Sequence, residues 1–89
     1  LMQVTCRTND HIFTDFILDI SPGGIFLETM EELFLGMKLE ISLQFKHHDE
    51  RVLVTGNVVW LGRNGAGIRF SFSSEQQKEM IEKLVEQLV

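Results

Sequence analysis

Met37-Lys38-Leu39-Glu40-Ile41-Ser42-Leu43-Gln44-Phe45-Lys46 alternates apolar and polar side chains without a break. Successive side chains of an extended chain point to opposite faces, so this stretch reads as a strand with one face buried and the other in water. The same reading extends outward in both directions. Gln3 to Thr8, Ile12 to Ile20 and Ile25 to Thr29 upstream, and Arg51 to Leu61 and Gly67 to Phe72 downstream, are further short strand-like runs. Turn formers punctuate the series: Asn9-Asp10, Pro22-Gly23-Gly24, Gly36 and Arg63-Asn64-Gly65. Asn64-Gly65 readily takes the positive φ values of a type I′ turn, which predicts an antiparallel hairpin between the last two strands.

The period changes after Phe72. Met80, Ile81, Leu84, Val85, Leu88 and Val89 recur at helical spacing, with Glu75, Lys78, Glu79, Glu82, Lys83 and Glu86 on the other face. Ser73 and Ser74, followed three residues later by Gln76 and Gln77, offer a capping box at the start of this helix. The expected fold is therefore all-β with one C-terminal helix. It is a small antiparallel barrel of six strands over about residues 2–72, and the helix, about 74–88, covers an open end or packs onto another chain. With 89 residues there is room for one domain, 1–89.

Composition narrows the function. Thirteen Asp and Glu against eight Lys and Arg give a net charge of -5, which argues against a protein that neutralises many DNA or RNA phosphates. It leaves room for a local basic pocket that takes one small anion. Cys6 is the single cysteine, so an intrachain disulfide and a thiolate zinc site are excluded. With no apolar run near the ~20 residues of a membrane span, the chain reads as soluble and cytoplasmic, without membrane insertion. Motifs for nucleophilic, metal-dependent or nucleotide-hydrolysing catalysis are missing, and an enzyme is not expected. His47-His48-Asp49-Glu50 reads as a solvated hairpin loop rather than a metal site, since neighbouring residues on extended chain point apart. His11 reads as a surface turn residue and Cys6 as a small buried one.

The segment Asp19-Ile20-Ser21-Pro22-Gly23-Gly24 carries the candidate chemistry. Asp19 and Ser21 are two residues apart and share a face, opposite the one expected to hold Phe16, Leu18 and Ile20. A carboxylate there can accept two N–H bonds from the N1 and N2 edge of guanine, Ser21 can donate or accept, and Gly24 admits a ligand close to the backbone. The other reading of these residues is a turn alone, with the Asp and Ser side chains bonded to local backbone and Pro22 fixing φ. Trp60 also has two readings, a purine-stacking platform or, as its place after Val58-Val59 suggests, a core residue.

In its ordered motifs the chain resembles the bacterial PilZ domain family. Asp19, Ser21 and Gly24 match the family's D/N-x-S-x-x-G motif, followed by the apolar strand Ile25-Phe26-Leu27. Gly36-Met37-Lys38-Leu39, Gly56-Asn57-Val58-Val59-Trp60 and Gly65-Ala66-Gly67-Ile68-Arg69-Phe70 are similar to its later strands. The resemblance implies a six-stranded barrel that receives the second messenger cyclic di-GMP, with Asp19, Ser21 and Gly24 at the ligand, in control of motility or biofilm formation. In the family an R-x-x-x-R motif before the first strand holds the phosphates. This chain does not carry it; Arg7 stands alone inside the first expected strand, and by family spacing the motif falls upstream of Leu1. Arg7 and Trp60 are secondary ligand candidates, and no cofactor is implied beyond the messenger itself. The alternative is a degenerate member that binds a protein partner or a fused effector domain without nucleotide, using the C-terminal helix to dock or dimerise.

Overall fold

In the computed structural model, which describes residues 2–46 and 48–88, the strands are β1 (Met2–Arg7), β2 (Ile12–Ser21), β3 (Gly24–Glu28), β4 (Lys38–Leu43), β5 (Val52–Leu61) and β6 (Gly65–Ser71), followed by the helix α1 (Glu75–Glu86). All six strands pair antiparallel in the order β1-β2-β3-β6-β5-β4, and β4 pairs back to β1, so the sheet closes into a barrel without a free edge.

Alternation decides what fills it. Leu39, Ile41, Leu43 and Phe45 are buried while Lys38, Glu40, Gln44 and Lys46 face water, as their spacing predicts. Ladder pairing stops at Leu43, where the chain turns and Gln44 Nε2 donates to the His48 carbonyl at 2.7 Å. His47, part of the expected polar loop, lies outside the described residues. From β1 come Val4 and Cys6, and from β6 come Ala66, Ile68 and Phe70. Burial, reinforced by the charge of Asp15, pushes the Cys6 thiol up to about 12, so it stays protonated and unreactive.

The helix begins where its cap is written. Ser74 Oγ accepts from Gln77 N at 3.0 Å, and Gln77 Oε1 in return accepts from Ser73 N at 2.8 Å, so two otherwise orphaned donors are satisfied. Gln77 also reaches the barrel through an Nε2 donation to the Leu53 carbonyl. Ile81, Leu84 and Val85 enter the common core, and the helix lies against β2 at one barrel end. Of the two roles expected for it, the structure shows the covering of an end.

The last hairpin corrects one expectation. Gly65 is not a turn residue with positive φ but the first residue of β6, paired with Glu28; Arg63-Asn64 form the tip, closed by Gly62 N to Gly65 O at 2.9 Å. Gly65 is needed for packing, since a Cβ there would lie 2.9 Å from the Phe26 ring. The glycine with positive φ among the described residues is Gly36, at 86°.

Candidate functional site

Two β-bulges shape the outer face. In β2, Phe13 and Ile17 point into the core, and strict alternation would send Asp19 inward after them. It does not, because Ile17 pairs with Leu27 while Asp19 pairs with Phe26, leaving Leu18 as an extra residue between them. One inserted residue reverses every following side chain. Asp19 and Ser21 therefore face outward and Ile20 turns half inward. The expected opposite face is overturned in part: Phe16, out of phase with buried Ile17 before the bulge, and Leu18, the extra residue itself, are 44% and 48% exposed. In β5 an equivalent bulge at Val59, between the pairs Val58–Ile68 and Trp60–Gly67, turns Val59 and Trp60 outward.

Across the strands these shifts align two outward rows. One is Ser21, Gly24, Arg69 and Asn57; the other is Asp19, Phe26, Gly67 and Trp60. Between them lies a shallow depression of about 360 Å³ bordered by Asp19, Ser21, Gly24, Phe26, Val59 and Arg69. Ser21 and Arg69 stand on either side of Gly24, two strand spacings or about 10 Å apart at the backbone, with no side chain between them. A carboxylate and a hydroxyl on one side and a guanidinium on the other suit a ligand with donor N–H groups at one end and negative charge at the other.

Gly24 has a packing reason of its own. A Cβ there would fall 2.1 Å from the Ile68 carbonyl oxygen and 3.2 Å from the Arg69 Cα, so β3 and β6 can pair only if this residue is glycine. Its bare backbone also floors the depression. Ser21 Oγ contacts the Gly24 carbonyl at 3.5 Å, at the limit for a hydrogen bond, while Phe70 N donates to the Gly23 carbonyl at 2.8 Å and ties the turn to β6.

Arg69 escapes a reading by motif because it is 48 residues from Ser21 in the chain and no local pattern links the two. The β6 alternation places it outward, between buried Ile68 and Phe70, but only the β3–β6 pairing brings it beside the Asp19 segment. No ion pair engages it among the described residues.

The two secondary candidates part company. Trp60 is 50% exposed, contrary to its expected core position; its ring meets Phe26 at a centroid distance of 5.2 Å and covers Gly62, where a Cβ would come within 2.1 Å of the indole. It flanks the depression rather than lining it. Arg7 is not brought to the site. It bonds Glu40 at 2.6 Å and pairs with Ile12, seven residues before Asp19 on β2 and so roughly 20 Å away along the strand. Among the described residues no three His, Cys, Asp or Glu side chains gather as metal ligands.

A closed antiparallel barrel with one covering helix and a glycine-floored polar depression on its outer wall defines a small ligand-binding or adaptor barrel. The PilZ domain model matches residues 1–87, and the chain belongs to the PilZ domain family. Among solved structures, the PilZ domain of CeSA from a cellulose-synthesizing bacterium superposes with a TM-score of 0.81 at 18% identity, over 98% of this chain and 91% of that one. At that identity the likeness concerns the fold. No curated protein sequence matches the chain. PilZ domains are binding and adaptor domains, generally receptors for cyclic di-GMP. No helix among the described residues is long and apolar enough to cross a membrane.

Proposed function

We propose that this PilZ domain is a cytoplasmic receptor for cyclic di-GMP, with Asp19 and Ser21 reading one guanine and Arg69 facing the phosphate side of the ligand. The observation that carries this reading is the outward pair Asp19 and Ser21 opposed to Arg69 across Gly24. Asp19 accepts from the guanine N1 and N2 donors, Ser21 completes the polar edge, and Gly24 lets the ligand lie on the backbone. Phe26 and Trp60 extend an aromatic shelf beside it, where base stacking is worth about 1–3 kcal/mol. Arg69 offsets part of the charge problem of a chain whose net charge is -5, since it puts a cation at the border of the depression, within reach of an anionic ligand there. Each charge-assisted hydrogen bond contributes about 1.5–3 kcal/mol, roughly ten- to a hundredfold in affinity. Arginines in the family's R-x-x-x-R positions, upstream of Leu1, would add bidentate phosphate contacts and raise affinity further. The output is control of motility or biofilm formation through a partner or fused effector domain.

Isothermal titration of cyclic di-GMP at fixed salt tests the reading. Binding is expected in the native protein, lost in Asp19→Ala and weakened ten- to a hundredfold in Arg69→Ala, with thermal melts unchanged. Absence of heat in the native protein would replace this reading with that of an adaptor that works through protein contacts alone.

A further inference from the structure

The barrel end opposite the helix is closed by the segment 29–37, which joins β3 to β4. Backbone bonds hold this segment at several points: Thr29 N donates to Asn64 O at 3.0 Å, Gly36 N to Val58 O at 2.8 Å, Met37 N to Phe34 O at 3.0 Å and Val58 N to Met37 O at 2.9 Å. Glu31 N donates to Thr29 Oγ1 at 3.0 Å, and Glu31 Oε2 lies 2.9 Å from Nε2 of His11 on the β1–β2 turn. Yet Met30 is 83% exposed and Phe34 and Leu35 are each 63% exposed. Anchoring of this kind means that the apolar side chains are held out in water by an ordered backbone.

Beside them runs an open cleft of about 1030 Å³. Met30, Leu33, Phe34, Met37 and Leu61 supply apolar walls, while the carboxylates of Asp10, Asp15, Glu31 and Glu32 outnumber the cationic groups of Arg63 and His11. Small-molecule pockets run to about 1,000 Å³ and enclose their ligand, so an open cleft at that limit suits a chain segment better. A strand cannot be added here, because the barrel closes on itself and offers no edge. A helix that presents apolar residues at i, i+3, i+4 and i+7 flanked by Lys or Arg matches both the apolar walls and the excess of carboxylates. A second copy of this chain is a poor donor of that helix, since α1 carries four glutamates against two lysines.

We propose that the loop-closed end of the barrel is a docking site for a basic amphipathic helix of a partner protein. The site is separate from the nucleotide depression and stands whether or not that depression binds cyclic di-GMP.

The test is an NMR titration of the isotope-labelled chain with a model Leu/Lys amphipathic helix, and with its Leu/Glu counterpart as control. Saturable shifts are expected at residues 10–15, 29–37 and 61–65 with the basic peptide and none with the acidic one. Affinity should fall about tenfold in Phe34→Ser and in Glu32→Lys, both at exposed positions, with melts unchanged. Glu86→Lys, the same charge change on the helix at the far end, should bind as the native chain does. Equal loss in Glu86→Lys, shifts centred elsewhere, or no binding would overturn the proposal. So would a dimer by sedimentation that Phe34→Ser disperses, which would make a second copy the occupant.

Discussion

The two ends of this barrel bury apolar residues by different means. At one end a helix with a 3.6-residue period delivers Ile81, Leu84 and Val85 into the core and keeps most of its charged residues in water. At the other end, segment 29–37 has no such period; Leu33 and Met37 pack partly on the core, while Met30, Phe34 and Leu35 stay outside. A regular element turns most of its apolar residues one way, with Met80 left at the margin of the stripe, whereas the irregular loop leaves Met30, Phe34 and Leu35 exposed. The polar, glycine-floored depression lies near the first end and the acidic, apolar cleft at the second, so the molecule offers two chemically distinct surfaces on one core.

The largest expected effect would break both ends together. Leu39 is fully buried in β4, and Leu39→Ala should cost about 2–5 kcal/mol in denaturant unfolding. A loss below about 1 kcal/mol would show that the barrel tolerates a void at its centre and is less closely packed than described. Gly24→Ala should act at the helix-covered end, costing about 1–3 kcal/mol as β3 and β6 are forced apart. Its amide shifts should remain near the β2–β3 turn and β6; shifts spreading into 29–37 would show that the two ends move as one.

Asp19→Ala sharpens the comparison further, because an exposed carboxylate that serves a ligand should leave stability within about 0.5 kcal/mol. A loss as large as that of Gly24→Ala would assign Asp19 to holding the turn instead.

The smallest effect belongs to the loop-closed end. His11 Nε2 faces Glu31 at 2.9 Å and Nδ1 faces Asp10 at 3.2 Å and the Thr8 hydroxyl at 3.3 Å. Hydrogen bonding to Glu31, then to Asp10, raises the His11 pKa above its ordinary value, and bonds from Thr8 and His11 lower that of Asp10. The His11 contribution is complete below about pH 6.5 and fades as pH rises through the raised folded pKa; that of Asp10 is present above about pH 4 and fades as pH falls through its lowered one. NMR titration of the His11 ring should give a pKa above about 6.5 that moves back toward it in Glu31→Gln. A ring that titrates at the ordinary value in the native chain would mean that the strap from the β1–β2 turn to the loop is not formed in solution.

Much of the architecture could be read in the chain, and apart from the turn at Asn64-Gly65 the readings that failed trace to strand phase and register. The alternation from Met37 to Lys46 and the Ser74–Gln77 cap are local, and both appear where their spacing puts them. Phe16 and Leu18 were expected on the face opposite Asp19 and Trp60 in the core, and all three are half exposed; Leu18 is the extra residue of one bulge, Trp60 follows the other, and Phe16 lies before the phase change that the bulge makes. A bulge is one unpaired residue, visible only when a partner strand counts past it. Arg69 was passed over for a related reason: nothing near it in sequence announces the Asp19 segment.

By itself, then, the sequence determined the periodic elements, the helix start, and that Asp19 and Ser21 share a face, because side-chain direction within a few residues follows from backbone geometry; that this face is the outer one was decided by the bulge at Leu18. Tertiary structure alone decided that β3 lies between β2 and β6, that Arg69 faces Ser21 across Gly24, and that Met30 and Phe34 are held in water beside four carboxylates. These are non-local facts, set when the barrel closes and each strand takes the register that buries its apolar face, at the cost of one unpaired residue at each bulge.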